Sequence, residues 1–197
     1  MKLAFLASNN GSSLRAVVAA IASGRLDAKA CLVVSNRKAA PALEFARSRG
    51  IAALWIPTTA DADAADAKLA AALTAAGADL VVLSGYLRKL GPATLEAFGG
   101  RILNIHPALL PKYGGRGMYG RRVHEAVVAA GETVSGATVH LVDDQYDHGA
   151  VVAQQRVALA PGDTAEMVER KVMAAEPELF VETLRRVTTG ELRLPAA

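Results

Sequence analysis

Asn104 and His106 stand two positions apart in the run Arg101-Ile-Leu-Asn-Ile-His-Pro107. Residues two apart on a strand share a face, so Ile102, Asn104 and His106 point one way and Leu103 and Ile105 the other. A carboxamide and an imidazole at the C-terminal end of a sheet strand lie where open α/β sheets bind ligands. Burying them there without partners would cost free energy. An Asn can donate to a developing oxyanion. A His can do so when protonated, or can transfer a proton near neutral pH. A His with that task needs a carboxylate to hold its ring, and Asp143-Asp144-Gln145-Tyr146-Asp147-His148-Gly149 offers several. The competing assignment is a satisfied core His beside a structural Asn. His124, in a predicted helix, and His140, in a predicted strand, are weaker candidates. The four His and the single Cys lack metal-ligand spacing, so no metal is expected.

A second group of residues suits an anion. Ser8-Asn9-Asn10-Gly11-Ser12-Ser13 joins an apolar run to a helical pattern. Free backbone N–H groups and the helix dipole at such a joint favour phosphate. Gly11 permits an unusual backbone angle, and Ser12 and Ser13 add hydroxyls. The alternative is an ordinary turn with Ser as helix cap. The glycines of a dinucleotide fingerprint and the Gly-Lys-Ser/Thr of a P-loop are both missing, so one phosphate is expected rather than a nucleotide triphosphate. Lys112, Arg116, Arg121 and Arg122 form a basic cluster. It is either a solvated loop or a patch that attracts an anionic substrate.

These residues must be positioned by the elements around them. Apolar runs predict strands at Lys2–Ala7, Cys31–Ser35, Ile51–Ile56, Leu80–Ser84 and Arg101–Ile105. Helical spacing predicts helices over Ser12–Ser23, Lys38–Ser48, Ala62–Ala76 and around Val123–Ala130. Strands alternating with helices, and made of continuous apolar runs, indicate a parallel sheet covered on both faces. Ser135–Val142 and Ala150–Val157 alternate partially and predict a hairpin-like pair. Thr164–Val187 predicts a long last helix, opened by Asp163 or Thr164 with Glu166 close behind. The fold class expected is therefore α/β: a Rossmann-like, mostly parallel sheet flanked by helices, with an antiparallel C-terminal strand pair. One domain over 1–197 is the simplest division, with a phosphate-binding half (1–100) and a catalytic half (101–197).

Composition narrows the class. The 197 residues are 52% hydrophobic and 21% charged, with a formal net charge of +3. That charge is too mild to argue for nucleic acid, and no basic stripe is interleaved with aromatics. Cys31 is the only cysteine, which excludes an intramolecular disulfide and fits a reducing, cytoplasmic setting. It sits in an apolar run and is expected as a buried core thiol. The first residues read better as a strand than as a secretory signal. No run approaches the roughly 18 apolar residues of a membrane span.

Leu103-Asn-Ile-His-Pro-Ala-Leu-Leu-Pro-Lys-Tyr113 closely resembles the signature of the folate-dependent formyltransferases. Val142-Asp-Asp-Gln-Tyr-Asp-His-Gly149 resembles that family's partner segment with its essential aspartate. Ser8–Ser13 resembles the phosphate loop of the purine-pathway branch, and Val82-Leu-Ser-Gly-Tyr-Leu-Arg88 the folate-contacting turn. The similarity runs over nearly the whole chain and implies the formyltransferase fold.

The resemblance also implies roles. Asn104 and His106 would polarise the formyl carbonyl of 10-formyltetrahydrofolate, the co-substrate, and stabilise its oxyanion. Asp147 would pair with the histidine and assist proton transfer. Gly11, Ser12 and Ser13 would hold the phosphate of the acceptor, glycinamide ribonucleotide. Glu176 and Met173 would face its ribose or glycinamide part. Leu87, Arg88, Lys89, Leu90, Asn104, Val139, Asp143 and Asp144 would line the folate site, largely through backbone groups. No metal, nucleic acid or membrane partner is implied. A homodimer is common among related enzymes, though this sequence carries no interface signal.

Some positions depart from the family pattern. Asn9 replaces a loop glycine, and Ser13 stands where an asparagine is usual. Ala62 replaces an arginine that some members place near the folate tail, and Lys89 replaces an apolar residue. The basic loop is a candidate to take over the lost attraction. Methionyl-tRNA formyltransferases add a C-terminal tRNA-binding domain, and formyltetrahydrofolate hydrolases an N-terminal regulatory one. Neither is present in these residues, so the purine-pathway branch is the expectation. A sugar-nucleotide acceptor and a non-catalytic folate- or phosphometabolite-binding module are the remaining alternatives.

Overall fold

A computed structural model describes residues 1–58 and 61–194. Its elements in chain order are β1 (Lys2–Leu6), α1 (Ser12–Ala22), β2 (Lys29–Ser35), α2 (Pro41–Ser48), β3 (Ala52–Trp55), α3 (Ala62–Ala75) and β4 (Leu80–Leu83). There follow α4 (Pro92–Phe98), β5 (Ile102–His106), α5 (Arg121–Ala129), β6 (Val134–Leu141), β7 (Val151–Ala158) and α6 (Ala165–Thr188). The strands form one sheet in the order β3-β2-β1-β4-β5-β6-β7. β1 to β5 pair in parallel, whereas β5–β6 and β6–β7 are antiparallel.

The alternation of side chains along the strands builds two cores. Leu3 and Phe5 of β1, with Leu80 and Val82 of β4 and Leu103 of β5, pack under α1, α2 and α6. Ala4, Leu6, Val81, Leu83 and Ile102 point the other way, toward α3 and α4. Phe5 is fully buried, and burying such a side chain contributes about 2–3 kcal/mol. Because β1 has neighbours on both sides, the connections leave it in opposite directions. The switch point falls between the C-terminal ends of β1 and β4, the expected place for a ligand.

Three differences from the sequence reading have physical causes. α2 begins at Pro41, not Lys38, because Pro fits the first helical position and forces the preceding Ala40 to be extended. α4 was not expected at all. It has only seven residues, and its cap comes from a remote carboxylate, that of Asp66 in α3. Cys31 is half-buried rather than in the core; its thiol donates to the Leu3 carbonyl, and burial pushes its pKa up. Among the described residues no helix is long and apolar enough to cross a membrane.

Candidate active site

The strand register brings the polar residues of β5 face to face with polar residues of β6. Asn104 lies opposite His140, and His106 opposite Thr138. Nδ1 of His140 is 2.8 Å from the Leu141 carbonyl, which can only accept, so Nδ1 carries the proton. Nε2 of His140 is then a lone pair, 3.1 Å from the Asn104 side-chain nitrogen. This network assigns the Asn104 amide: one hydrogen goes to His140, and the other is left for a ligand. Burial lowers the His140 pKa, outweighing the attraction of Asp147, and so keeps the acceptor form.

His106 is held at both nitrogens. Nε2 lies 2.8 Å from the Tyr113 carbonyl, and Nδ1 lies 3.4 Å from Oδ2 of Asp147. The Asp147 carboxylate also accepts from the Gly115 N–H at 3.0 Å and faces His140 at 3.6 Å. Side-chain exposure is only 4% for His106 and 12% for Asp147, so these contacts are poorly screened by water. Tyr113 and Asp147 have positive φ, 57° and 54°, a conformation that L side chains rarely adopt. Each costs on the order of 1–2 kcal/mol and flanks the same imidazole. Thr138 and Gln154 fasten the segment after His106. Thr138 Oγ1 donates to the Ala108 carbonyl and accepts from the Leu110 N–H, while Gln154 donates to the Leu110 carbonyl.

The first loop lies along the same edge of the sheet. Gly11 has φ 67° and ψ 61°, and a Cβ there would press on Leu14 at 3.2 Å. Ser84 Oγ accepts the Leu14 N–H, which leaves the N–H groups of Ser12 and Ser13 without intrahelical partners. Ser12 is exposed and Ser13 is buried.

The remaining expected residues scatter around this centre. Glu176, in the middle of α6, is partly buried, and burial pushes its carboxyl up to about 7. Pro177 follows it and cannot donate to the Met173 carbonyl, so the helix presents a free acceptor there. The Met173 side chain is exposed. Leu87 is exposed and Leu90 buried. Arg88, Lys89 and Leu90 line a cavity of about 210 Å³ with Ile56, Asp63 and Tyr86. Val139 is fully buried in the core, so only its backbone could reach a ligand. Asp143 accepts from His148 at 2.8 Å and from the Gln145 N–H; burial would raise its pKa, but these bonds outweigh it and hold the group low. Asp144 is exposed.

Three residues of the basic cluster have partners of their own. Lys112 pairs with Glu132, Arg121 pairs with Glu169, and Arg122 stacks on Tyr119. Among the described residues, no group of three or more His, Cys, Asp or Glu could hold a metal ion.

His140, Thr138, Gln154 and the Tyr113 carbonyl are parts of the site that sequence reasoning underweighted or missed. A signal for two of them was present. Thr138 and His140 are two apart on a predicted strand and share a face, as Asn104 and His106 do.

A partly buried carboxamide and carboxylate, a buried imidazole and a phosphate-type loop share one end of a mostly parallel sheet, an arrangement suited to group transfer. The chain belongs to the formyl transferase family, whose sequence pattern matches residues 1–184. Within that family several relatives are named for one acceptor. The phosphoribosylglycinamide formyltransferase of Haemophilus influenzae is 35% identical, covering 98% of this chain and 90% of its own length. The chloroplastic enzyme of that name from Arabidopsis thaliana is 39% identical over 98% of this chain, which spans 67% of that longer protein. The crystal structure of glycinamide ribonucleotide transformylase 1 from Symbiobacterium toebii superposes with a TM-score of 0.90 at 35% identity, over 99% of this chain and 91% of that one. A formyltetrahydrofolate deformylase from Pseudomonas syringae shares the fold, with a TM-score of 0.87 at 22% identity.

Proposed function

We propose that this protein is a phosphoribosylglycinamide formyltransferase of purine biosynthesis. It moves the formyl group of 10-formyltetrahydrofolate to the amine of glycinamide ribonucleotide. The observation that carries this reading is the Asn104–His106–Asp147 cluster on the sheet edge that also carries the Gly11–Ser13 loop. The names of the relatives, at 35% and 39% identity over nearly the whole chain, support the choice of acceptor. A cytoplasmic location fits the single cysteine and the bacterial relatives.

The acceptor amine is already a nucleophile, so the protein's task is positioning and charge stabilisation. The amine nitrogen attacks the formyl carbon, and the carbonyl electrons move onto oxygen. The second amide hydrogen of Asn104 donates to that oxyanion. His106 donates to it as well once the Tyr113 carbonyl yields Nε2. The attacking nitrogen gives up a proton toward Asp147. The oxyanion collapses, the carbon–nitrogen bond to the folate breaks, and the folate nitrogen takes the proton that Asp147 accepted. Gly11, Ser12 and Ser13 hold the acceptor phosphate, and Glu176 accepts from its ribose hydroxyls. The turn Leu87–Leu90 and the loop at Asp143–Asp144 enclose the folate. Residues 1–100 bind phosphate, and residues 101–197 carry the chemistry.

The test is formyl release from 10-formyltetrahydrofolate with and without glycinamide ribonucleotide, with the formylated product detected by mass. Acceptor-dependent product supports the reading. Release at the same rate without acceptor indicates a hydrolase and overturns it.

A further inference from the structure

We infer that Arg37 selects for the acceptor's phosphate, and that Asn9 holds it for that task. The inference rests on the acceptor reading above and assigns a specificity residue to the same site. The exit loops of β1 and β2 are fastened together by two neighbouring side-chain bonds. Ser8 Oγ donates to Asn36 Oδ1 at 2.7 Å, and Arg37 Nη1 donates to Asn9 Oδ1 at 2.6 Å. The Arg37 N–H is itself bound to Ser35 Oγ, and its carbonyl accepts from Ala40, so the backbone beneath the guanidinium is fixed.

The loop that receives the phosphate has no cation of its own between Ser8 and Ser13. Two arginines reach it from outside. Arg15 donates to the Asn10 carbonyl, but its guanidinium lies flat on Phe45 at 4.4 Å. Arg37 is exposed, and among the described residues it pairs with no carboxylate and stacks on no ring. One of its five N–H donors is used by Asn9, which leaves the rest of a planar fork for a phosphate.

The free N–H groups at the start of α1 and the guanidinium held by Asn9 thus belong to one loop region. A terminal phosphomonoester satisfies both. Asn9, which departs from the family's glycine, supplies the side chain that anchors the cation.

The experiment is steady-state kinetics of wild type, Arg37→Ala, Arg37→Lys and Asn9→Ala. The acceptors are glycinamide ribonucleotide and its dephosphorylated riboside. Arg37→Ala is expected to raise KM for the ribonucleotide about tenfold, with kcat within twofold and KM for the folate unchanged. Arg37→Lys is expected to recover only part of the loss, because a point charge cannot make the bidentate contact. Asn9→Ala is expected to give a smaller rise in the same direction. With the riboside, wild type and Arg37→Ala are expected to be alike. An unchanged KM for the ribonucleotide, or an equal loss with the riboside, overturns the inference. If wild type does not use the ribonucleotide, the acceptor reading fails separately. Calorimetric titration with inorganic phosphate then decides. Binding lost in Arg37→Ala supports the assignment, and phosphate that binds both proteins alike, or neither, overturns it.

Discussion

The Asn104 side chain donates to Nε2 of His140 across the β5–β6 pairing, at 3.1 Å. The Leu141 carbonyl fixes the other nitrogen of that ring. His140 is therefore a positioning residue: it sets which way the Asn104 amide faces. His140→Ala is expected to lower kcat about tenfold or more while KM for both substrates changes little, because an unfixed amide is an unreliable oxyanion donor. Burial lowers the His140 pKa, so the ring is the neutral acceptor at neutral pH and loses that role only when acid protonates it. The wild-type rate should therefore fall on the acid side. In His140→Gln, whose amide oxygen can accept but not titrate, that part of the fall should be absent. A pH–rate profile identical in the two proteins contradicts the assignment.

Asp147 combines strain with function. Its φ of 54° is unfavourable, and its carboxylate faces both His106 and His140. Asn tolerates the left-handed region better than most residues and keeps the shape of the side chain. Asp147→Asn is expected to lose at least a hundredfold in kcat while its Tm stays level or rises. A substantial drop in Tm would make the residue primarily structural.

Glu176 gives a pH test of its proposed place at the acceptor. Burial pushes its carboxyl from 4.5 up to about 7 in the folded protein. Below the ordinary value both states hold the proton. Between the two values only the folded state keeps it, so this group lowers stability as pH rises through that window, and the loss is complete above about 7. Glu176→Gln removes the ionisation. Its Tm should exceed that of wild type at pH 8 and converge with it toward pH 4.5, while its KM for the acceptor rises. A Tm difference independent of pH contradicts this cause.

Asp66 fastens the segment that follows the Leu87–Leu90 turn, which is proposed to enclose the folate. Its carboxylate accepts the N–H groups of Gly91 and Ala93 at 3.0 and 2.8 Å and the Thr94 hydroxyl at 2.6 Å. Asp66→Ala leaves these donors buried and unpaired, at a cost of about 2–3 kcal/mol in a urea unfolding experiment. KM for the folate should rise more than KM for the acceptor. Equal changes would separate Asp66 from the folate site.

Much of this site was legible in the chain because its signals are local. Asn104 and His106 share a strand face, Gly11 marks the phosphate-type turn, and continuous apolar runs mark the buried strands. The contributions that were not legible act over distance. Asp66 caps a helix 26 residues further on, a pairing that only the packing of α3 against α4 creates. Arg37 meets Asn9 because β1 and β2 are neighbours in the sheet. His140 gains its role from an antiparallel register that the alternation of β6 suggests but cannot fix. The partners of the basic cluster were not legible for a related reason, since composition shows charges without the carboxylates that Glu132 and Glu169 bring to Lys112 and Arg121.

The most direct test of the mechanism is the single-turnover rate of formyl transfer by Asn104→Ala against wild type, with both substrates saturating. Loss of an oxyanion donor should lower the rate by about a hundred- to a thousandfold while the affinity for each substrate stays within a few-fold. A rate within a few-fold of wild type would show that the Asn104 amide does not stabilise the reacting oxygen, and the mechanism built on it would be wrong.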